Sequence, residues 1–388
     1  MVQSVVDWLI DGARSCARSE DVLAELCERM VAAGVPLWRA AVLVTTLHPD
    51  IMGRRFMWQE GAGVTTSHAR FDILETDEFR ISPFSTVYAT REPIRRRLAD
   101  AACPDDFPIL RDFRAEGATD YAAFPLSFSD GSIHVATWST RQADGLTDAQ
   151  LAAIERIIAP LARVTEIRAL RRTATNLLDT YVGNQAGGRI LAGKIRRGHV
   201  EAIRAAIWLS DMRGFTALSE RIAPQHLVDH LNRYFDCQVP AIHKHGGEVL
   251  KFMGDGLLAI FPVAGGDVLG ACCRALNAAL AAESEVERLD QPASLAHDGA
   301  ARFGLALHVG EVMYGNIGGG ARLDFTCIGP AVNLAARLEK IASKIGRTIV
   351  ASADFAHHLP ERFTPLGDFA VPGFTAPQAV FGLKNAKP

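Results

Sequence analysis

Two aspartates lie where the sequence predicts that apolar strands end. Asp211 follows the apolar run 205–210, and Asp255 occupies a Gly-Asp-Gly turn between the largely apolar segments 247–253 and 257–261. These two segments predict a β-hairpin with Asp255 at its tip. If the hairpin lies beside the first strand, the two carboxylates meet, and each raises the pKa of the other unless a cation lies between them. Oxygen ligands of this kind favour Mg²⁺ or Mn²⁺.

The turn after Asp211 predicts a phosphate site. Gly214, Phe215 and Thr216 open an amphipathic helix that the pattern predicts through Phe235. The first backbone N–H groups of a helix have no partner within the helix, and they attract anions. A strand therefore delivers an aspartate to a turn that could hold a phosphate group.

Further polar residues stand in apolar segments, and each also has an ordinary explanation. Lys251, within LKFMGDGLLAIF, could be a strand-edge lysine whose ammonium group reaches solvent. Asn333 and Arg337 are four residues apart and share one face of a predicted helix, where they could be plain surface residues. Asp255 could serve only the turn, because Asp-Gly is common in hairpins.

The composition predicts a globular protein without a polyanionic partner. Its 388 residues suffice for two domains, and 44 acidic against 41 basic residues leave a net charge of −3, which disfavours nucleic-acid binding. The apolar runs are too short for a membrane helix. The seven cysteines are scattered and never spaced as C-x-x-C, which disfavours a disulfide framework or a zinc site and favours a cytoplasmic location.

Three regions separate by their patterns, and the first covers residues 1–146. It has a predicted amphipathic helix over residues 5–33 and a strand over 38–47. The segments 124–128 and 132–140 predict a hairpin around a Ser-Asp-Gly turn. This mixture of short elements indicates a separate domain with both helices and strands.

The second region, residues 147–199, is a predicted connector. Thr147 and Gln150 can cap each other at the start of a long helix that runs to about Tyr181. Its apolar stripe suits pairing with a second copy of the same helix, but packing against its own domain explains the stripe equally well. The glycine-dotted segment 183–188 is the predicted joint to the next domain.

The third region, residues 200–388, alternates predicted strands and helices. Its glycine run 315–320 is predicted to be a flexible turn, because no β-α-β unit with an acidic partner surrounds it. No G-x-x-x-x-G-K-[ST] motif occurs anywhere in the sequence, which excludes a P-loop enzyme.

Three segments of this region together resemble the class III nucleotidyl cyclases. They read SDMRGFTALSE, GGEVLKFMGDGLLAIF and FTCIGPAVNLAARLEKIA, in the order and spacing of that family. The resemblance covers roughly residues 200–383 and implies an α+β, ferredoxin-like catalytic domain that forms a head-to-tail homodimer. It further implies that ATP binds at the dimer interface and is converted to 3′,5′-cyclic AMP and pyrophosphate.

The resemblance also implies roles for the polar residues at the strand ends. Asp211 and Asp255, helped by the Met212 carbonyl, would bind two Mg²⁺ or Mn²⁺ ions that activate the ribose 3′ oxygen and neutralise the triphosphate. Lys251 and Thr326 occupy the family's base-selecting positions. Lys251 would donate a hydrogen bond to adenine, and the Thr326 hydroxyl would accept one from the adenine amino group.

Two helical residues complete the implied site. Asn333 would orient the ribose, and Arg337 would stabilise charge on the phosphates in the transition state. The sequence departs from the family in one respect, since the late segment 370–377 lacks the second basic residue that often binds phosphate. Lys344 or Arg347 could replace that residue, or the pocket could bind the triphosphate less tightly.

The end of the first region resembles a GAF domain, on the hairpin 124–140 and the following segment 146–151. This likeness implies an α/β sensor for a small molecule of unknown identity, although a domain that serves only dimerisation fits the residues nearly as well. Two other functions stay open for the third region, namely a guanylate cyclase and a catalytically inactive, cyclase-like binding module. The presence of both aspartates, Asn333 and Arg337 disfavours the inactive module.

Overall fold

The computed structural model describes residues 2–289, 303–320 and 322–384. The chain forms two compact units, Met1–Leu177 and Leu178–Pro388. Both contain helices and a mainly antiparallel sheet, which confirms the predicted mixed α and β fold class. The finer division at residues 146 and 199 stays a prediction. Within the described residues, no helix is both long enough and apolar enough to span a membrane.

The first unit is built on one six-stranded antiparallel sheet. Its elements are α1 (Gln3–Ile10), α2 (Ser19–Ala32), β1 (Arg39–Thr45), β2 (Gly53–Gln59), β3 (Gly63–Ala69), a 3₁₀ helix (Phe71–Glu75), α3 (Asp77–Arg80), α4 (Pro83–Thr90), β4 (Ile94–Arg96), α5 (Pro108–Ala115), β5 (Asp120–Ser127), β6 (Ile133–Thr140) and the long helix α6 (Asp148–Val182). The strand order is β3-β2-β1-β6-β5-β4. A GAF identity for this unit stays a prediction.

The single helix predicted over residues 5–33 is wrong, because α1 and α2 are separate. The chain turns at Gly12 and Ala13, whose φ angles of 85° and 49° are left-handed and end the helix. The apolar periodicity nevertheless continues across the break, since both helices bury residues such as Leu9 and Leu26 in one core. Periodicity alone therefore concealed the turn.

The predicted hairpin and helix cap of the first unit are both confirmed. Strands β5 and β6 pair up to Ser127 and Ile133, and Gly131 in the turn has a φ of 84°. The Thr147 N–H donates to Gln150 Oε1 at 3.0 Å, and the Gln150 N–H donates to Thr147 Oγ1 at 3.3 Å. This reciprocal pair satisfies two backbone donors at the start of α6.

The apolar stripe of α6 has two different environments. Ile154, Ile157 and Leu161 are buried in the core of the first unit, so the ordinary packing explanation holds for this half. Further along, Ile167 is 65% exposed and Tyr181 is 79% exposed. The second half of the stripe thus has exposed apolar residues in the single chain.

The second unit contains an eight-stranded sheet. Its elements are α7 (Asn184–Leu191), β7 (Val200–Met212), α8 (Phe215–Ser219), α9 (Pro224–Lys244), β8 (Glu248–Met253), β9 (Gly256–Pro262), α10 (Val268–Leu289), β10 (Phe303–Gly319), β11 (Arg322–Ile328), α11 (Pro330–Lys344), β12 (Ile349–Ser352), α12 (Ala353–Ala356), β13 (Phe363–Phe369) and β14 (Gln378–Leu383). The order is β13-β14-β12-β10-β7-β9-β8, and β11 pairs with β10. The series β7-α9-β8-β9-α10-β10 is the β-α-β-β-α-β arrangement of ferredoxin-like folds.

Strand β7 lies at the centre of this sheet and is buried on both faces. Ala206 and Trp208 pack in the core that holds α9 and α10, whereas Ile207 and Leu209 pack in the core that includes residues of α11. A strand covered on both faces needs apolar residues at consecutive positions. This double burial explains the continuous apolar run that precedes Asp211.

Two glycine-rich segments that were predicted as a joint and a turn are regular structure. Segment 183–188 lies mostly in α7, and a Cβ at Gly187 would come within 3.1 Å of the Leu178 side chain. Run 315–320 lies largely in β10, where a Cβ at Gly315 would come within 2.3 Å of the His199 carbonyl oxygen. The glycines at these positions are explained by the close approach of neighbouring segments, not by a need for flexibility.

We expect Gly247→Ala to destabilise the second unit by about 1–3 kcal/mol through overpacking. A Cβ at this position, just before β8, would lie 2.6 Å from Phe261 Cε1 and 2.7 Å from Ile242 Cγ2. Gly188→Ala is the matched control, because its Cβ would meet no atom within 4 Å and alanine favours the helix. Urea unfolding of both variants checks the prediction, and equal stabilities would contradict it.

Candidate functional site

The end of β7 holds Asp211 in a fixed place. Trp208 Nε1 donates a hydrogen bond to Ser210 Oγ at 3.1 Å, and the Ser210 hydroxyl donates to Gln238 Oε1 on α9 at 2.6 Å. All three side chains are fully buried. Helix α9 therefore anchors the strand residue immediately before the aspartate.

The hairpin of β8 and β9 brings Asp255 to the same place. Strand β9 pairs with β7 so that Leu257 lies opposite Ser210, which confirms that the hairpin lies beside β7. A Cβ at Gly256 would lie 3.2 Å from Asp211 Oδ1, so glycine leaves room for the neighbouring carboxylate. The structure thus brings together the two aspartates that the sequence paired.

The crowding of acids alters their protonation. Burial raises the pKa of Asp211 to about 6, and the nearby Asp255 carboxylate adds to the increase. Burial and the Asp211 charge likewise raise the pKa of Glu339 to about 7, while Arg213 and Lys340 oppose that change. Within the described residues, no set of three or more His, Cys, Asp or Glu side chains is arranged to hold a metal ion.

Glu339 was not anticipated from the sequence. It lies on α11 and is buried, and a Cβ at Gly304 of β10 would come within 2.9 Å of its Oε1 atom. In the sequence, Glu339 stands out only because it follows Arg337 by two residues. That position does not reveal that β10 covers the Glu339 side chain. Its burial depends on a strand that begins 36 residues earlier in the sequence.

Lys251 lies on β8 and Thr326 lies on β11, and these two strands contact each other. The Lys251 charge acts on the Cys327 thiol, whose pKa burial raises to about 11. Thr326 is buried, and its Oγ1 atom has no hydrogen-bond partner among the described residues. An unpaired buried hydroxyl is costly, so a polar partner at this atom would be favourable.

Helix α11 presents the two remaining predicted residues. It begins at Pro330 after Gly329, whose φ of 146° suits only glycine. Asn333 and Arg337 are both exposed one turn apart, so the predicted common face is confirmed.

One cavity of about 520 Å³ connects several of these residues. Asp211, Lys251 and Asn333 line it, together with the unpredicted Glu339 and Lys340. The other predicted residues are not part of its lining, and these are Met212, Gly214, Phe215, Thr216, Asp255, Thr326 and Arg337.

The proposed phosphate-binding elements differ in detail from the prediction. The helix predicted from residue 214 to Phe235 is two helices, α8 with five residues and then α9, because the chain leaves helical geometry after Ser219. Lys344 and Arg347, the two suggested replacement bases, also do not line the cavity. The basic side chain of α11 that lines the cavity is Lys340.

Comparison with known proteins agrees with this arrangement. The adenylate and guanylate cyclase catalytic domain family matches residues 200–384. An adenylate cyclase of Anabaena cylindrica is 31% identical over 176 residues, which are 44% of this chain and 34% of that protein. Adenylate cyclase 1 of Rhizobium meliloti (strain 1021) is 33% identical over 164 residues, 41% of this chain and 24% of that protein. The matched segment thus spans about a third or less of these relatives.

Among solved structures, the adenylyl cyclase CyaB from P. aeruginosa has 25% identity and a TM-score of 0.44, covering 49% of this chain and 97% of that one. The guanylyl cyclase Cya2 has 27% identity and a TM-score of 0.42, covering 47% of this chain and 93% of that one. The family match coincides with the segment that carries both aspartates, Lys251, Asn333 and Arg337. Residues 200–384 therefore belong to the adenylate and guanylate cyclase catalytic domain family.

Proposed function

We propose that residues 200–384 convert ATP to 3′,5′-cyclic AMP and pyrophosphate at a homodimer interface. The observation that carries this proposal is the meeting of Asp211 and Asp255 at the ends of adjacent strands. The curated relatives described above are adenylate cyclases, which supports ATP as the substrate. A guanylate cyclase is the alternative that the substrate assay below separates.

The carboxylate pair fits two divalent cations. Two half-buried aspartates with mutual repulsion are a poor arrangement for a metal-free protein, and oxygen ligands match Mg²⁺ or Mn²⁺. Asp211 and Asp255 would hold the ions with help from the Met212 carbonyl. Bound ions would supply activation of the ribose 3′ oxygen and neutralisation of the triphosphate.

The base would lie between Lys251 and Thr326. The Lys251 ammonium group donates a hydrogen bond to an acceptor on adenine, and the unpaired Thr326 hydroxyl accepts one from the adenine amino group. Guanine has an oxygen at the position of the adenine amino group. The Thr326 hydroxyl can accept from the amino group or donate to the oxygen, so it distinguishes the two bases only through the orientation of its proton. Lys251 is therefore the stronger determinant in this pair.

The helix α11 would orient the sugar and the phosphates. Asn333 holds the ribose, and Arg337, four residues on, stabilises charge on the phosphates as the 3′ oxygen attacks. Lys340 lines the same cavity as Asp211, so it can contribute the phosphate contact that the late segment 370–377 lacks. The turn at Gly214, Phe215 and Thr216 would offer backbone N–H groups to the triphosphate.

The surface around the site supports pairing of two subunits. Phe252 is 53% exposed and Ile328 is 50% exposed, and both lie on strands that carry base-binding residues. Exposed apolar residues that lie next to a site favour a protein interface. On α6, the exposed residues Ile167 and Leu170, with Leu177 and Tyr181, follow the 3.5-residue repeat that suits pairing with a second copy.

The first unit would regulate the catalytic domain. Helix α6 begins in the first unit and ends at Val182 in the second, so a change in the first unit can act along one continuous helix. The regulatory ligand could be a small molecule. Nothing in the proposal requires a membrane or a nucleic acid.

We expect Asp255→Asn to lower turnover by roughly three orders of magnitude, because it removes a shared ligand of the two ions. In EDTA at pH 8, the same variant should be more stable than wild type, on the order of 1 kcal/mol after solvent screening, since it relieves the repulsion with Asp211. Because the pKa of Asp211 is raised to about 6, wild type is stabilised while Asp211 is protonated. Wild type loses that stabilisation as pH rises from about 4 to about 6.

Thermal unfolding with and without Mn²⁺ provides the measurement. Mn²⁺ should stabilise wild type above pH 6 but not Asp255→Asn. The exposed Asp368→Asn is the matched control and should behave as wild type in both assays. Near-normal turnover of Asp255→Asn would refute the two-ion arrangement.

We expect purified wild-type protein with Mn²⁺ to form cyclic AMP from ATP faster than cyclic GMP from GTP. Lys251→Glu combined with Thr326→Cys should reverse part of this preference, by at least about tenfold, because the donor and acceptor pattern around the purine is inverted. Lys244→Glu, an exposed residue at the end of α9, is the control of equal charge change. A wild-type preference for GTP would establish the guanylate cyclase instead, and an unchanged ratio in the double variant would exclude contact with the base.

Mixing inactive variants tests the shared interface. In a head-to-tail dimer, the metal aspartates come from one subunit and Lys251, Asn333 and Arg337 from the other. A mixed dimer of Asp255→Ala and Arg337→Ala then has one site with both lesions and one with neither. Random exchange makes half the dimers mixed, so activity should recover to about a quarter of wild type.

Each variant measured alone should remain inactive, and a tag pull-down should verify that subunits exchange. A mixture that stays inactive after demonstrated exchange would place the whole site within one chain. The cavity of a single subunit lined by Asp211, Lys251 and Asn333 makes that outcome a real alternative.

A further inference from the structure

The first unit contains a small cavity beside the long helix. It has a volume of about 60 Å³ and lies between one face of the sheet and helices α2 and α6. Its inner wall is apolar, formed by residues that include Val42, Val44 and Phe56 of the sheet and Leu161 and Val164 of α6. A group the size of a water molecule needs about 10–15 Å³ when volume is measured in the same way, so the cavity holds roughly four to six such groups.

Three arginines also line this cavity, and two of them lack partners. The Arg168 guanidinium donates to the backbone carbonyls of Cys16 at 2.7 Å and Ala17 at 3.2 Å. The guanidinium groups of Arg54 and Arg172 make no hydrogen bond or ion pair with any described residue, and the Arg54 Nε atom is buried without an acceptor. Two unpaired guanidinium groups therefore reach one cavity.

The surrounding charges do not neutralise them. Burial lowers the pKa of Arg54, and the charge of Arg172 lowers it further. The one acid in the lining is Glu20, which opposes that change but already lies 3.5 Å from the Arg18 guanidinium. Asp21, the next acid along α2, is paired with Arg18 at 2.8 Å. A ligand with negative charge would relieve the excess positive charge.

Hydroxyl groups complete the polar side of the cavity. Thr46 and Thr165 both line it, and Asn176 of α6 donates to Thr46 Oγ1 at 3.4 Å. Each hydroxyl can donate to a carboxylate oxygen, in addition to the arginines. The polar groups come from the sheet and from α6, so a ligand would join these two elements.

We propose that this cavity is a binding site for a short-chain carboxylate of about two to four carbon atoms. The carboxylate lies between Arg54 and Arg172, where planar guanidinium groups can form paired hydrogen bonds with its oxygens. The alkyl chain enters the apolar part of the cavity. An inorganic oxyanion of similar size would leave that apolar wall without contacts. This site is independent of the proposed cyclase activity.

Titration calorimetry of the full chain with sodium propionate tests the site. We expect binding with a dissociation constant of roughly 1 mM or tighter, because few atoms can contribute. Propionamide has the same shape without the charge and should bind at least about tenfold more weakly, since it cannot pair with two guanidinium groups. Arg54→Gln and Arg172→Gln should each weaken propionate binding by about tenfold or more.

Arg55→Gln is the matched control. Arg55 lies next to Arg54 on β2 but donates to Ser67 Oγ at 3.2 Å and does not line this cavity, so propionate binding should be unchanged. Circular dichroism confirms that all variants are folded. The proposal is overturned if propionate at roughly 20 mM gives no binding heat, if both arginine variants bind normally, or if inorganic phosphate binds as tightly as propionate.

Discussion

The second unit depends on holding two carboxylates side by side at the ends of neighbouring strands. The Asp255 carboxylate and burial both raise the pKa of Asp211, so the charge of Asp211 is costly. The sheet can tolerate this cost because β7 is paired with β9 on one side and β10 on the other, and it is covered on both faces. The buried apolar residues beneath the aspartates, such as Trp208 and Ile207, supply the stability that the acids remove.

The other polar groups of the site lie on strands away from the central strand β7. Lys251 lies on β8, an edge strand, and Thr326 lies on β11, which pairs only with β10 in the order of strands. Edge strands can offer side chains to a ligand without disturbing the central pairing of β7. The Thr326 hydroxyl lacks a hydrogen-bond partner among the described residues, and the two carboxylates repel each other. Polar groups with such unfavourable surroundings are concentrated at sites where a ligand binds.

Features with local causes were predictable from the sequence, and features with distant causes were not. The Asp255 hairpin and the Thr147 cap depend on residues within a few positions of each other, and both are confirmed. The glycine at 315 looked like a flexible turn because its reason, the His199 carbonyl, is more than 100 positions away. Glu339 was missed for the same reason, since β10 buries it. Periodicity failed at Gly12, because two helices on one core preserve the pattern of one.

Helix α6 changes its environment where arginines interrupt its apolar stripe. Before that point, residues such as Ile157 pack in the core of the first unit, and beyond it Leu170, Leu177 and Tyr181 are exposed. Arg168 binds the carbonyls of the turn between α1 and α2, so it fixes the helix to the N-terminal segment. Arg172, one turn later, has no such partner. An anion bound at Arg172 would therefore add a contact to α6 just beyond the residues that pack in the core of the first unit.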